Sequence, residues 1–474
     1  MQRRPAAFND NAAEALLDAD LQRALGAAEA GFGVKRRKAI EGLPEFDALC
    51  DQAASIKDHV LDHLDVYLER FEAQVFASGG MVHWCEDAEQ ARDIILKLCR
   101  SVNAKMVTKG KSMVAEEIDL NPFLETNGIR PVETDLGEYI IQLADEPPSH
   151  IIGPALHKTK DQVSDLFHVH HPALGFAGRQ TEGEALVGEA RAILRQQYLQ
   201  ADVGITGANF LIAETGSTVI VTNEGNGDMT QIFPRMHIVI ASIEKIVPTL
   251  EDAATLLRVL ARSATGQEMS VYTTFSTGSK RRADADGPEQ FHVVLLDNGR
   301  SDILGGNQRD ILRCIRCGAC MNNCPVYMAA GGHAYGATYM GPMGSVLTPN
   351  LTSLHKAQAL PFASSFCGKC EAVCPMRIPL PKLMRDLRNA AHEQRITPVR
   401  ERLWLALWSW VAQRPELYHR LGGVGLAVLK LLARGRGRFH WLPLAGGWTA
   451  TRDFPAPQGE SFMAQWARRG KPKA

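Results

Sequence analysis

No apolar run in this 474-residue sequence reaches the ~20 residues that a membrane-spanning helix requires. The longest, Leu403–Ala412 and Leu421–Ala433, stop well short. No apolar core follows Arg3 and Arg4, so the N-terminus does not read as a secretory signal. Net charge is nearly absent too. The 52 Lys+Arg and 53 Asp+Glu leave −1, which argues against a whole-chain basic field for nucleic acid. There is no G-x-G-x-x-G fingerprint, and Gly110-Lys111-Ser112 imitates a P-loop end with Lys105 where that loop needs Gly. His392-Glu393 lacks the second His of a zincin. The composition, 45% hydrophobic and 22% charged, is that of an ordinary globular protein and excludes disorder and collagen-like repeats. The length allows roughly three domains.

The totals hide their distribution. Residues 401–474 hold twelve Lys/Arg against four Asp/Glu, a net +8, so residues 1–400 carry −9. Six of the seven Trp lie in that same tail: Trp404, Trp408, Trp410, Trp441, Trp448 and Trp466. Seven of the ten Cys fall between Cys314 and Cys374. The chain is expected to be cytoplasmic, and in a reducing compartment such clustering means metal or redox chemistry rather than disulfides.

Four segments follow from the pattern. Residues 1–75 form a charged helical leader that packs on the rest. Residues 76–298 alternate between helix and strand, which predicts an α/β domain with a largely parallel sheet. Strands are expected at Lys105–Val107, Tyr139–Leu143, Ile151–Ile152, Thr218–Thr222, His237–Ala241 and Phe291–Leu296. Helices are expected at Asp87–Cys99, at Met113–Asn127 with a kink at Pro122 and Gly128 as its cap, and at Leu250–Ser263. A further helix should open on a Thr181–Glu184 capping box. The Gly/Asp/Asn-rich stretch at Asp297–Asp302, with Gly305-Gly306, reads as a linker. A cysteine module fills 299–390, and the basic, Trp-rich extension fills 391–474.

In the module, Cys314, Cys317, Cys320 and Cys324-Pro325 follow the C-x2-C-x2-C-x3-C-P pattern of bacterial ferredoxins. Cys367, Cys370 and Cys374-Pro375 repeat its last three cysteines, with Ser364 at the first position. In this pattern the fourth Cys ligates the other cluster. Cys314, Cys317, Cys320 and Cys374 would then hold one 4Fe–4S cluster. Cys324, Cys367 and Cys370 would hold the second, one thiolate short. Ser364 supplies that ligand, or it is a plain loop serine and water, substrate or a three-iron core fills the gap. Structural zinc is the rival for the module, but zinc wants four ligands from two pairs, not seven cysteines with two Cys-Pro endings. Cys50, Cys85 and Cys99 read as buried packing residues.

Weaker signals sit elsewhere. His168, His170 and His171 read as a solvated turn before Pro172 rather than a metal site. Asn223–Asp228 follows a strand and is a ligand-binding loop or a tight turn. The tail places Leu403, Trp404, Leu407 and Trp408 on one helical stripe. This suggests an interfacial helix or a docking face for an acidic partner, or a helix packed on the protein itself.

The sequence resembles the lactate utilization protein B family, iron–sulfur proteins with a LUD domain. The resemblance is carried by LETNGIRPVETDLGEYIIQLADEPPSHIIGPALHK (Leu124–Lys158), ITGANFLIAETGSTVIVTNEGNGDM (Ile205–Met229) and HIVIASIEKIVPTLEDA (His237–Ala253). GGHAYGATYMGPMGSVLTP (Gly331–Pro349) and LPFASSFCGKCEAVCPMRI (Leu360–Ile378) carry it through the cysteine module. It implies a LUD domain similar to the sugar-phosphate isomerase and CoA-transferase group, followed by an α-helical ferredoxin-type domain with two clusters. It also implies a role in oxidising L-lactate to pyruvate beside a cysteine-rich partner and a LUD-only partner. The chain is then an electron-transfer subunit, with the basic tail meeting an electron acceptor or the inner face of the membrane. Alternatively the LUD domain is catalytic, with Glu214, Thr215, Asn223, Glu224 and Asn226 as substrate-site candidates.

Overall fold

The computed structural model describes residues 4–176, 178–442 and 445–469. Among the described residues, ten strands of the first compact unit, Met1–Ala391, form two sheets: β1 Met81–Cys85, β2 Met106–Gly110, β3 Arg130–Glu133, β4 Val203–Gly207, β5 Phe210–Ile212, β6 Ser217–Thr222, β7 Met236–Ser242, β8 Ile246–Val247, β9 Tyr272–Ser276 and β10 Gln290–Leu296. Six of them make a parallel sheet in the order β1-β10-β7-β4-β2-β3. The others make a mixed sheet, β8-β5-β6-β9.

The parallel sheet is buried on both faces, as its apolar, β-branched runs require. Side chains alternate across it. Ile238 and Ile240 of β7, with Val294 and Leu296 of β10, face helices that contribute Ile95, Cys99 and Val114. Val239, Ala241, Val293 and Leu295 face the other way, onto Leu68, Phe71 and Val75 of helix Leu64–Ala77. Helix Phe46–Asp62 packs on helix Leu250–Ala264 in a third core, which runs on into the cysteine segment through Ile315, Met343 and Leu383.

Several local expectations need correction. Tyr139–Leu143 is not a strand but the body of helix Leu136–Leu143, because the Asp135 carboxylate accepts from the Gly137 and Glu138 amides and caps it. Ile151–Ile152 joins no sheet. The Thr181–Glu184 box does not form: helix Gly183–Gln200 starts after Glu182 with no side-chain cap, and the box forms instead at Thr159 and Gln162. Helix Met113–Asn127 breaks at Asp119, whose φ of 51° is left-handed, giving Met113–Glu117 and Leu120–Thr126. Pro122 causes no kink, since it falls in the first turn of the second piece, where its missing N–H costs nothing.

The expected linker is also structured. Arg300 opens helix Arg300–Leu304 and is fully buried. Its guanidinium lies 2.6 Å from Glu117 and 2.9 Å from Glu244. Met1–Ala391 accordingly form one compact unit. Its N-terminal helices meet the cysteine segment directly: Arg36 donates to the Val373 carbonyl, and Arg377 pairs with Asp47 and Asp51.

His392–Ala474 form a second unit. It contains helices Val399–Ala412 and Pro415–Ala433, of which the first buries no side chain. Among the described residues no helix is long and apolar enough to cross a membrane.

Removing Arg300 would strand two buried carboxylates, so urea unfolding of Arg300→Met should show a loss of ~3–5 kcal/mol. A loss under ~1 kcal/mol would mean that the ion pairs do not hold the cysteine segment to the sheet.

Candidate functional site

The two cysteine loops have the same backbone. In the first, Cys314 Sγ accepts from the Arg316 amide at 3.4 Å, Arg316 has φ 61°, and Gly318 has φ 72°. In the second, Ser364 Oγ accepts from the Phe366 amide at 3.1 Å, Phe366 has φ 55°, and Gly368 has φ 79°. Each glycine starts a one-turn helix, Ala319–Asn322 or Lys369–Ala372. Ser364 therefore occupies the place that Cys314 holds in the first loop.

Cys314, Cys317, Cys320 and Cys374 line one small cavity, about 380 Å³ with the open space around it included, walled by Ile151, Ile315, Met343 and Ile378. Cys324, Cys367 and Cys370 make a second group, close enough that negative charge on one raises the pKa of another. Ser365 brings its hydroxyl to the Cys367 thiol, a partner that counting three residues back from Cys367 does not suggest.

Burial pushes the thiols of Cys374 and Cys370 up to about 11 and about 12, and raises Cys317, Cys320 and Cys324 as well. Cys367 is exposed, and the Lys369 amide lowers it. Cys50, Cys85 and Cys99 lie outside both groups, buried and raised by that burial to about 11, about 11 and about 12.

A larger pocket, about 1030 Å³ including its open mouth, sits where β2, β4 and β7 end. Lys111, Gly207 and Ile240 line it beside Lys245, Glu138 and Tyr339. Arg316 and Ile151 line both this pocket and the four-thiol cavity, so the two spaces share a wall. Of the residues singled out after β6, Asn223 lines the pocket. Glu224 accepts from the Leu136 amide at 3.2 Å, and burial raises its pKa. Asn226 is buried with neither side-chain atom partnered.

Glu214 and Thr215 do not line the pocket. Glu214 accepts from the Leu250 amide at a helix start, and Thr215 bonds Ser217. The three histidines do not form a solvated turn: His168 and His170 lie on helix Lys160–His170, while His171 is buried between Tyr139 and Glu189. Lys111, Glu138, Lys245 and Arg316 were not legible as site residues. The one signal is a charged pair, Glu244-Lys245, at the end of the apolar run His237–Ile243.

Residues 68–296 match the LUD domain family, 310–378 the 4Fe-4S dicluster domain, and 385–471 the C-terminal region of lactate utilisation protein B. The chain is 42% identical to lactate utilization protein B of Bacillus velezensis, over 99% of this chain and 98% of the relative. It is 44% identical to the Geobacillus thermodenitrificans protein of the same name, over 92% of each. It is also 40% identical to an uncharacterized electron transport protein, YkgF, of Escherichia coli, over 96% of this chain and 95% of that protein. The parallel sheet and paired cysteine loops thus define a LUD-domain protein with a 4Fe–4S dicluster domain. The chain belongs to the lactate utilization protein B family.

Its cofactors are iron–sulfur clusters, and the donor chemistry fits them. Cys314 accepts the Arg316 amide, and the backbone N–H groups of Ala319, Met343 and Tyr327 favour the thiolate forms of Cys317, Cys320 and Cys324. Lys369 serves Cys367, Glu371 serves Cys370 and Ile378 serves Cys374. Such bonds stabilise thiolates and tune a bound cluster. No carboxylate lines the four-thiol cavity.

The loop glycines give a graded test. A Cβ on Gly368 meets nothing within 4 Å, so Gly368→Ala carries only left-handed strain, ~1–2 kcal/mol. A Cβ on Gly318 would also press Ile152 Cδ1 at 3.1 Å. Gly318→Ala should lose iron to a chelator faster than Gly368→Ala; equal rates would show that Ile152 gives way freely.

Proposed function

We propose that this chain is an electron-transfer component of L-lactate oxidation to pyruvate, carrying electrons through two 4Fe–4S clusters. The observation that carries this reading is the sorting of seven cysteines, from two loops of one conformation, into a set of four and a set of three. The names of the relatives, lactate utilization protein B and electron transport protein, point to the same process. Cys314, Cys317, Cys320 and Cys374 hold the first cluster. Cys324, Cys367 and Cys370 hold the second, with Ser364 at the remaining corner.

A cubane cluster moves one electron at a time, so two clusters split the pair released by a 2-hydroxy acid. The protein's part is to hold the thiolates in an apolar, hydrogen-bonded wall that sets each potential. The partners are a cysteine-rich subunit and a LUD-only subunit, in the cytoplasm. The tail exposes Trp404, Trp408, Leu403 and Leu431 beside its basic residues, which suits an electron acceptor at the inner face of the membrane.

The pocket against the four-thiol cavity favours a second reading, in which the LUD domain itself takes the substrate. Lactate-dependent reduction of the clusters in the isolated chain separates the two: the first expects reduction only with partners present, the second without them.

Anaerobically purified protein should carry about eight irons, or about seven if the second cluster is of the three-iron type. Four or fewer irons, or stoichiometric zinc, would overturn the two-cluster assignment. Ser364→Ala should shift the potential or lability of the second cluster alone, read by EPR. If every EPR signal stays unchanged, Ser364 is not a ligand.

A further inference from the structure

A cluster of charged side chains backs the pocket beside the four-thiol cavity: Lys57, Lys245, Arg300 and Arg316 with Glu117 and Glu244, of which Lys245 and Arg316 line the pocket itself. Both oxygens of Glu244 are already engaged: Oε1 lies 3.2 Å from Arg316 and Oε2 2.9 Å from Arg300. Glu117 is held by Arg300, Asn298 and the Tyr339 hydroxyl. Lys57 is satisfied by the carbonyls of Glu244 and Ile246.

Lys245 is left over. It is 93% buried by the 7% exposure of the residue, and among the described residues its ammonium makes no hydrogen bond and no ion pair. It lines the large pocket and does not line the four-thiol cavity. Burial, with Arg316 beside it, pushes its ammonium down to about 7, against the opposing pull of Glu244 and Cys314, which do not reach it as hydrogen-bond partners. Arg316 is the residue that faces both spaces, so Arg316 can serve the thiolates while Lys245 serves the pocket.

The rest of the pocket selects the ligand. Much of its wall is apolar, from Met113, Ile152, Val221, Ile240 and Leu260, which suits a small organic molecule. At its other side Lys111 is already paired with Asp135 at 3.0 Å. Glu138 lines the pocket with one oxygen unpartnered, and burial raises its pKa well above the usual carboxyl range. A carboxyl so raised can donate a hydrogen bond, and Asp135, also in the wall, disfavours a second negative charge on the ligand. A buried ammonium with no hydrogen bond, facing this pocket, therefore suits one negative charge, with a polar oxygen near Glu138.

We propose that this pocket binds a small monocarboxylate, with Lys245 as its counter-ion and Arg316 as the wall between the ligand and the four-thiol cavity. The anion chemistry stands on the pocket alone; the choice of L-lactate and pyruvate as first probes rests on the lactate reading above. The ligand lies on the far side of one side-chain layer from the thiols.

The test is calorimetric titration of the full, anaerobically purified chain with L-lactate, pyruvate, acetate and inorganic phosphate. Two variants accompany it. Lys245→Gln removes the charge. Ala264→Phe fills the pocket from helix Leu250–Ala264 without touching a charge, and keeps the test decisive if Lys245→Gln does not fold. Saturable lactate or pyruvate binding is expected, with Kd raised tenfold or more in either variant at unchanged iron content. If only another monocarboxylate binds, with the same sensitivity, the site stands and the reading in which the LUD domain itself takes lactate falls. Preferential phosphate binding, no binding, or binding indifferent to the variants would overturn the proposal.

Discussion

One buried carboxylate joins the parts of this molecule. Glu244 follows the central strand β7 and meets Arg300, just beyond β10, and Arg316, inside the first cysteine loop. Burial alone would raise its pKa, but the two guanidiniums hold it down at about 2. A buried ion pair is costly to form and costlier to break. Its effect here is positional: it fixes the cysteine loop against the C-terminal edge of the sheet, so that Met1–Ala391 behave as one unit.

That placement gives the site its character. The four-thiol cavity and the sheet-end pocket share Arg316 and Ile151. Arg316 keeps a left-handed backbone so that its amide can reach Cys314, while its guanidinium lies over Tyr339 and against Glu244. One residue thus serves the Cys314 thiol, the ion-pair core and the pocket wall. Lys245 makes no direct ion pair with its neighbour Glu244, whose two oxygens face Arg300 and Arg316.

Some of this was legible along the chain and some was not. The cysteine spacing was readable because a cubane cluster demands thiolates at short, fixed separations. The buried strands β7 and β10 were readable because both faces are apolar. Tyr139–Leu143 misled because an amphipathic run of five residues fits either period, and the Asp135 cap decided it. Asp297–Asp302 misled because turn residues hid Arg300, whose partners Glu117 and Glu244 are distant in sequence. Glu214 and Thr215 looked like site residues by their place between strands, yet they secure a helix start and a turn.

The sequence by itself determined that a ferredoxin-type run of seven cysteines belongs to an iron–sulfur domain, that a parallel α/β sheet precedes it, and that a basic, Trp-rich tail follows. Spacing, periodicity and charge are local properties, and they survive without coordinates. Only the tertiary structure decided which thiols share a cavity, that Ser364 repeats the backbone role of Cys314, and that a cation-lined pocket abuts the four-thiol set. Those depend on where distant segments cross, and a buried ammonium without a hydrogen bond, such as Lys245, is visible only when every neighbour's partners are known.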